Sequence, residues 1–264
     1  MLQQLCDESV GFAGESGHAS GELRSVLAST QLLALFREYE ELGVSQAARK
    51  LGVAKSTAHR LLSTLCVSGL IQRDSSTSRY RLGLVALELG LAARERQPVV
   101  SCVMPYLEQL RRRTGLTVHF ALRDGLDMVY VERLQSRACE QLFAGVARRF
   151  PVHATSSGKC MAAFDDDLAR ERIAAGLRSF TPKTPKDPRD FVSSLGRIRE
   201  AGYALSVGET VDGLTSIAAP IRNYQGKPVA AVSVVGLTNK VLPEVEPLSN
   251  LVRCVGQTLR RFVN

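Results

Sequence analysis

From Ser25 onward, apolar residues recur near helical spacing as Val26, Leu27, Leu32, Leu33, Leu35, Phe36 and Tyr39, which predicts a first helix with Gly43 placed as its stop. Two shorter helices are expected over 45–51 and 55–67, separated only by Gly52-Val53-Ala54. Counting from Val44, Ala48 falls fifth, Gly52 ninth, Val53 tenth, Ala58 fifteenth and Leu61 eighteenth. A helix-turn-helix needs a small residue where two helices touch, a residue that tolerates a sharp turn, and apolar anchors on the second helix. Each place is suitably filled. In the second helix Ala58, Leu61, Leu62 and Leu65 form an i, i+3, i+4, i+7 stripe. That leaves Lys55, Ser56, Thr57, His59, Arg60 and Ser63 on its other faces.

The period changes over 70–82, which reads as a strand, a polar turn at Asp74-Ser75-Ser76-Thr77 and a second alternating strand. This is a β-hairpin wing. Arg73, Arg79 and Arg81 flank its tip, suited to phosphate or minor-groove contact, while Tyr80 is expected to pack on the hairpin rather than stack on a base. Residues 83–115 read as helical, broken at Gln97-Pro98 and ended by Gly115. Strand-like alternation then fills 116–123 and 126–134 around the Asp124-Gly125 turn. Further strands are expected at 142–147, 203–207, 214–222 and 228–235, and helices at 157–176, 190–201 and 243–262. The fold class is therefore α+β: an N-terminal winged helix-turn-helix, linker helices, and an antiparallel sheet flanked by helices. The expected organisation is a flexible tail over 1–20, a DNA-binding domain over 21–83, linker helices over 84–115 and a second domain over 116–264.

Composition narrows the classes. A chain of 264 residues suits two domains. Its apolar runs, such as 229–235, fall far short of the ~20 residues of a spanning helix. No basic flank and apolar core of a secretory leader stands at its start, so a cytoplasmic location and no membrane partner are expected. The six cysteines are scattered singly without a C-x-x-C pair, which reads as reduced packing residues and neither disulfides nor a metal site. Net charge is +8. Residues 21–82 carry nine basic and five acidic side chains, a net of +4, so the charge is modestly denser in the helix-turn-helix region.

Enzyme motifs are scarce. H-E-x-x-H, G-x-G-x-x-G, G-x-x-x-x-G-K-[ST] and G-x-S-x-G do not occur. Ser156-Ser157-Gly158-Lys159 fits S-x-x-K, so a serine hydrolase using Ser156 and Lys159 is the alternative to a regulator, although neither S-D-N nor K-T-G accompanies it. His119 and His153 sit beside apolar strand residues and read as core or rim histidines. Asp165-Asp166-Asp167 reads as a helix start. Thr155-Ser156-Ser157-Gly158 opens a helix after a strand-like segment, either as a seat for a carboxylate or as an ordinary N-cap.

These stretches together resemble the IclR family of bacterial transcription regulators, from about Ser25 to Val263. The resemblance is carried by the run from Val53 to Leu62, by Tyr80-Arg81-Leu82-Gly83, by His153 to Lys159, by Gly202-Tyr203-Ala204, by Ala218-Ala219-Pro220-Ile221 and by the run from Val229 to Gly236. It implies a winged helix-turn-helix joined by a linker helix to a GAF-like effector domain, with no cofactor, assembled as dimers that often pair into tetramers. Such regulators bind palindromic operators and respond to a small metabolite, frequently an organic or aromatic acid. DNA contacts would then come from Ser45, Gln46, Lys55, Ser56, Thr57, His59, Arg60, Ser63, Arg73, Arg79 and Arg81. The effector pocket would be lined by Ser156, Ser157, Gly158, Ser206, Ser216 and Ser233, with Val118, Phe120 and Leu142 as apolar walls. Some relatives carry an acidic residue near Ser206 and a cysteine near Ser216; both are hydroxyls here.

Overall fold

The computed structural model describes residues 23–136 and 148–263. They form two compact units, divided between Arg96 and Gln97.

The first unit contains helices α1 (Arg24–Leu35), α2 (Val44–Leu51) and α3 (Lys55–Val67), strands β1 (Ile71–Arg73) and β2 (Tyr80–Leu82), and helix α4 (Leu84–Glu95). Helix α1 stops eight residues before Gly43, which instead sits just ahead of α2 as its N-cap. The intervening chain is used for pairing: Leu42 and Tyr80 exchange backbone hydrogen bonds of 2.8 and 2.9 Å, adding a third short rung to the wing. Gly52 is left-handed at φ 66° and ends α2, so the turn into α3 occupies the region that glycine enters without steric cost. Leu32, Leu42, Ala58, Leu62, Ile71 and Tyr80 fill the core between these elements. Full burial of a leucine or isoleucine side chain contributes about 1.5–3 kcal/mol.

The second unit is a six-stranded antiparallel sheet of β3 (Thr117–Asp124), β4 (Asp127–Leu134), β5 (Arg149–Pro151), β6 (Ala204–Val207), β7 (Leu214–Arg222) and β8 (Pro228–Leu237), in the order β5-β4-β3-β8-β7-β6. Helix α5 (Pro98–Thr114) and helix α10 (Val245–Leu259) share one core cluster with Val118, Phe120, Ile217, Val232 and Val234. Helices α6 (Ser156–Ala162), α7 (Asp166–Ala174) and α8 (Pro188–Ala201) share a second cluster with Ala121, Met128, Ala218 and Ala231. The two clusters take alternate residues of the same strands, as the two-residue period of a strand requires. A short helix α9 (Thr238–Val241) follows β8.

Two further boundaries differ from the sequence reading. Residues 84–115 do not act as one connector: α5 inserts Val103, Leu107 and Leu110 into the sheet's core, so it belongs to the second unit. The single helix expected over 157–176 is two, because Asp165 leaves helical geometry and its carboxylate accepts from the Leu168 amide at 3.0 Å, capping α7. The expected strand at 142–147, the pocket residue Leu142 and the tail over 1–20 lie outside the described residues. Among the described residues no helix is long and apolar enough to cross a membrane, and no cluster of three His, Cys, Asp or Glu is placed to hold a metal ion.

Candidate nucleic-acid interface and ligand pocket

In α3 the stripe of Ala58, Leu62 and Leu65 is buried, which turns Lys55, Ser56, Thr57, His59 and Arg60 to solvent. Ser63 is half-buried at the edge. Ser45 is exposed at the start of α2, and Gln46 beside it is half-buried. The amphipathic division therefore presents a polar helix face, as the sequence predicts.

The wing arginines are not equivalent. Arg79 is a brace: its guanidinium donates to the Glu41 carbonyl at 3.1 Å and to Gln46 Oε1 at 3.3 Å, and pairs with the Glu41 carboxylate at 3.4 Å. It ties the wing to the start of α2. Arg73 donates to Ser78 at 3.0 Å and lies over the Tyr80 ring, and Arg81 stands exposed opposite Gln72. Tyr80 is buried and packs on the hairpin, as expected. At the tip, hydrogen bonds from the Ser76 hydroxyl and from the Thr77 and Ser76 amides hold the Asp74 carboxyl at about 2, so the turn is fixed by a charged acceptor.

In the second unit a cavity opens on the sheet face that carries His119, Ser233, Ser216 and Ser206, where strand register aligns His119 with Ser233 and Ser216 with Ser206. Tyr130, Arg133, Phe150, Thr155 and the Thr210-Val211 loop complete much of its wall. Its volume is about 40 Å³. Of the predicted pocket residues, Ser206, Ser216 and Ser233 line it. Ser156, Ser157 and Gly158 lie one layer behind. Ser156 Oγ is 2.8 Å from Ser216 Oγ, and Ser157 Oγ donates to Ser233 Oγ at 3.2 Å.

Of the two alternatives for the start of α6, a carboxylate seat or an ordinary N-cap, the described hydrogen bonds match the N-cap: the Gly158 amide donates to Thr155 Oγ1 at 2.9 Å. Glycine is needed at 158 for packing: a Cβ there would lie 2.2 Å from the Val152 carbonyl oxygen. Val118 and Phe120 are corrected. Both point through the opposite face into the cluster with α5 and α10, since they alternate with His119 and Ala121 along β3.

The S-x-x-K pair is not assembled for nucleophilic chemistry. Lys159 Nζ donates to the Leu205 carbonyl at 2.9 Å and to Glu209 Oε1 at 2.6 Å, while Ser156 is engaged with Ser216. The lysine is committed to a buried ion pair.

Sequence reasoning missed Tyr130 and Arg133. A β-bulge between Phe120 and Ala121 pairs His119 with Arg133 but Ala121 with Tyr130, so two residues of opposite parity reach the same wall. The available signal was an arginine inside a strand whose two faces are both covered. Burial first, then Arg148, pushes Arg133 down to about 10. Burial also pushes the Tyr130 phenol up, against hydrogen bonds from Thr155 and Ser157.

His119 is held well below its ordinary value by burial and then by Arg133 and Arg148, and the His153 imidazole is lowered chiefly by burial. His153 Nε2 donates to the Arg178 carbonyl at 2.8 Å, which fits a neutral ring. With folded values below the unfolded ~6.5, this stability is complete above that pH and is lost as pH falls toward the folded values. Urea unfolding should therefore show stability dropping by about 1.4 kcal/mol per pH unit per histidine on acidification below ~6.5. Replacing both by glutamine should flatten that slope; an unchanged slope would place the acid sensitivity elsewhere.

Residues 26–75 match the IclR helix-turn-helix domain, and residues 91–261 match the family described as bacterial transcriptional regulator IclR C-terminal. The HTH-type transcriptional regulator XynR of Escherichia coli is 33% identical over 222 residues, 83% of this chain and 88% of that protein. The HTH-type transcriptional repressor AllR of Escherichia coli is 30% identical over 200 residues, 75% of this chain and 74% of that protein. Among solved structures, an IclR regulator from Alicyclobacillus acidocaldarius aligns with a TM-score of 0.79 at 26% identity, covering 92% of this chain and 100% of that one. An IclR homolog from Microbacterium hydrocarbonoxydans complexed with 4-hydroxybenzoate aligns with a TM-score of 0.75 at 28% identity, covering 89% of this chain and 98% of that one. With a helix-turn-helix unit ahead of an antiparallel sheet that encloses a small polar cavity, this chain belongs to the IclR family of bacterial transcription regulators.

Proposed function

We propose that this regulator is a cytoplasmic repressor that binds a palindromic operator as a dimer, and that a small organic acid in the cavity of the second unit changes its operator affinity. The polar face of α3 carries the reading. Lys55 and Arg60 project from a helix whose opposite stripe is anchored in the core, the arrangement in which a recognition helix enters a major groove. Ser45 and Gln46 of α2 and Arg73 and Arg81 of the wing would contact phosphates, with Arg79 orienting the wing. Leu84, Leu87 and Leu91 of α4 are exposed at i, i+3, i+7 spacing, which favours self-association through that helix. Two recognition helices would then sit about 34 Å apart on one face of the duplex.

The acid acts by differential affinity for two arrangements of the dimer, since a ligand that binds both equally shifts nothing. Fluorescence anisotropy with operator DNA tests the DNA half of this function. Neutralising about six phosphates gives a log-log salt slope near −5, whereas a flat response from about 50 to 200 mM salt rejects it. The sensing half is tested in the same assay by adding candidate acids; affinity that no acid alters rejects it.

A further inference from the structure

We infer that the second unit carries a DNA-contact surface of its own: the outer side of α5 and α10, with the turn between β7 and β8, holds duplex phosphates without reading sequence. The inference rests neither on α3 nor on the cavity.

Charge distribution comes first. Helix α5, helix α10 and the short turn Arg260–Phe262 after it carry six arginines, Arg111, Arg112, Arg113, Arg253, Arg260 and Arg261, against two carboxylates, Glu108 and Glu246. Arg111 and Arg112 share Glu108, so one carboxylate serves two guanidinium groups. Arg113, Arg260, Arg261 and, in the turn between β7 and β8, Lys227 are exposed, and among the described residues none of the four pairs with a carboxylate. Three exposed arginines of α7 and α8 behave otherwise: Arg170 pairs with Asp167, Arg189 with Asp187 and Arg199 with Asp166. Positive charge is met by carboxylates there and left open along α5 and α10.

The open cations are held in place. Arg260 lies over the Tyr224 ring at 5.0 Å and donates to the Tyr224 carbonyl at 3.1 Å, and Arg261 lies over the Phe262 ring at 4.8 Å and donates to the Tyr106 hydroxyl. Asn223 Oδ1 accepts from the Gln225 and Lys227 amides at 3.1 and 3.0 Å, which fixes the turn that presents Lys227. Two helical turns beyond Tyr106, Arg113 stands on the same face, about 10 Å along α5. Side chains already ordered lose less entropy when a phosphate arrives, and a planar guanidinium offers two parallel N–H donors to its oxygens.

The partner follows from what the surface lacks. Its exposed neutral side chains include Gln109, Asn250 and Gln257, and the rings of Tyr106, Tyr224 and Phe262 each carry an arginine. A stable protein interface keeps charge to the rim of an apolar and aromatic core, so an acidic protein finds no anchor here. A second copy presenting this same surface meets its own charge. Protein–DNA interfaces, by contrast, are polar and strongly positive. Because the chain is a DNA-binding regulator, duplex is the polyanion within reach.

Fluorescence anisotropy with a non-operator duplex tests this, using the full chain carrying Lys55→Ala/Arg60→Ala so that α3 contributes least. This protein is expected to keep a salt-dependent affinity for the duplex. Adding Arg113→Gln, Lys227→Gln, Arg260→Gln and Arg261→Gln should weaken binding about tenfold or more at about 50 mM salt and make the log-log salt slope shallower by about three. Arg113→Lys/Arg260→Lys/Arg261→Lys should keep most of the affinity, since charge rather than base reading carries it. Unchanged affinity and slope in the folded glutamine variant overturn the inference. So does binding of poly-L-glutamate that depends on these four residues while duplex binding does not, which would give the surface to an acidic protein. If the glutamine variant does not fold, photocrosslinking of the natural protein decides. A benzophenone attached to Cys254, exposed on α10, should form an adduct with the duplex, and its absence overturns the inference. The role of α3 stands or falls separately, on operator affinity.

Discussion

Replacing Lys159 with methionine is expected to destabilise the second unit by about 3–5 kcal/mol, the cost of stranding a buried charge when its partner is removed. Lys159 and Glu209 side chains are only 5% and 11% exposed, and they meet at 2.6 Å. Burial pushes the Glu209 carboxyl up, while the lysine's charge and hydrogen bond pull it back. Without the lysine the upward push is opposed only by hydrogen bonds from the Ser206 hydroxyl and the Val207 amide. A carboxyl whose folded value lies above its unfolded one contributes stability below the unfolded value and loses it as pH rises through the folded one. The deficit of Lys159→Met should therefore be small near about pH 4.5 and fully developed by about pH 8. Urea melts at those two pH values provide the check. A deficit below about 1 kcal/mol, or one independent of pH, would contradict a buried ion pair at this place. The double variant Lys159→Met/Glu209→Met should recover much of the loss, because an apolar pair leaves no charge to solvate.

The second large effect concerns DNA. Lys55→Ala/Arg60→Ala is expected to weaken operator binding about 100-fold at fixed salt, given about 1–3 kcal/mol for a bidentate arginine–guanine pair and a further phosphate interaction from the lysine. Both side chains are exposed on α3, so the fold should be unaffected, with stability changing by no more than about 0.5 kcal/mol. The salt slope should become shallower by about one for each phosphate that is no longer neutralised. Arg79→Ala is the informative contrast. Its guanidinium is spent on Glu41 and Gln46, so its effect should come through a loosened wing and stay well below that of the double variant. Full affinity in Lys55→Ala/Arg60→Ala would remove α3 from the groove.

Much of the first unit was legible because its information is local. The spacing of Ala48, Gly52, Val53, Ala58 and Leu61 encodes two helices and the corner between them: Ala48 and Ala58 are buried, Gly52 makes the left-handed corner, and Val53 and Leu61 pack half-buried against the same core. The path between α1 and α2 was less legible. Leu42 pairs with Tyr80 across 38 positions, and a single backbone rung leaves no periodic trace. In the second unit the strand at 214–222 is legible residue for residue, because alternating runs bounded by turns signal strands directly. The site was only partly legible. Ser206, Ser216 and Ser233 reach the cavity, but Val118 and Phe120 lie on the other face of β3.

The chain's own pattern determined the helix-turn-helix, the wing, most strands and the polarity of α3, since each follows from neighbours within a few turns or rungs. Tertiary structure alone decided which sheet face holds the cavity, that Lys159 answers to Glu209 rather than to Ser156, and that Arg133 and Tyr130 share a wall. The physical reason is parity. Both faces of this sheet are covered by helices, so hydrophobicity no longer marks which side of a strand faces in, and one extra residue at a bulge reverses the assignment beyond it.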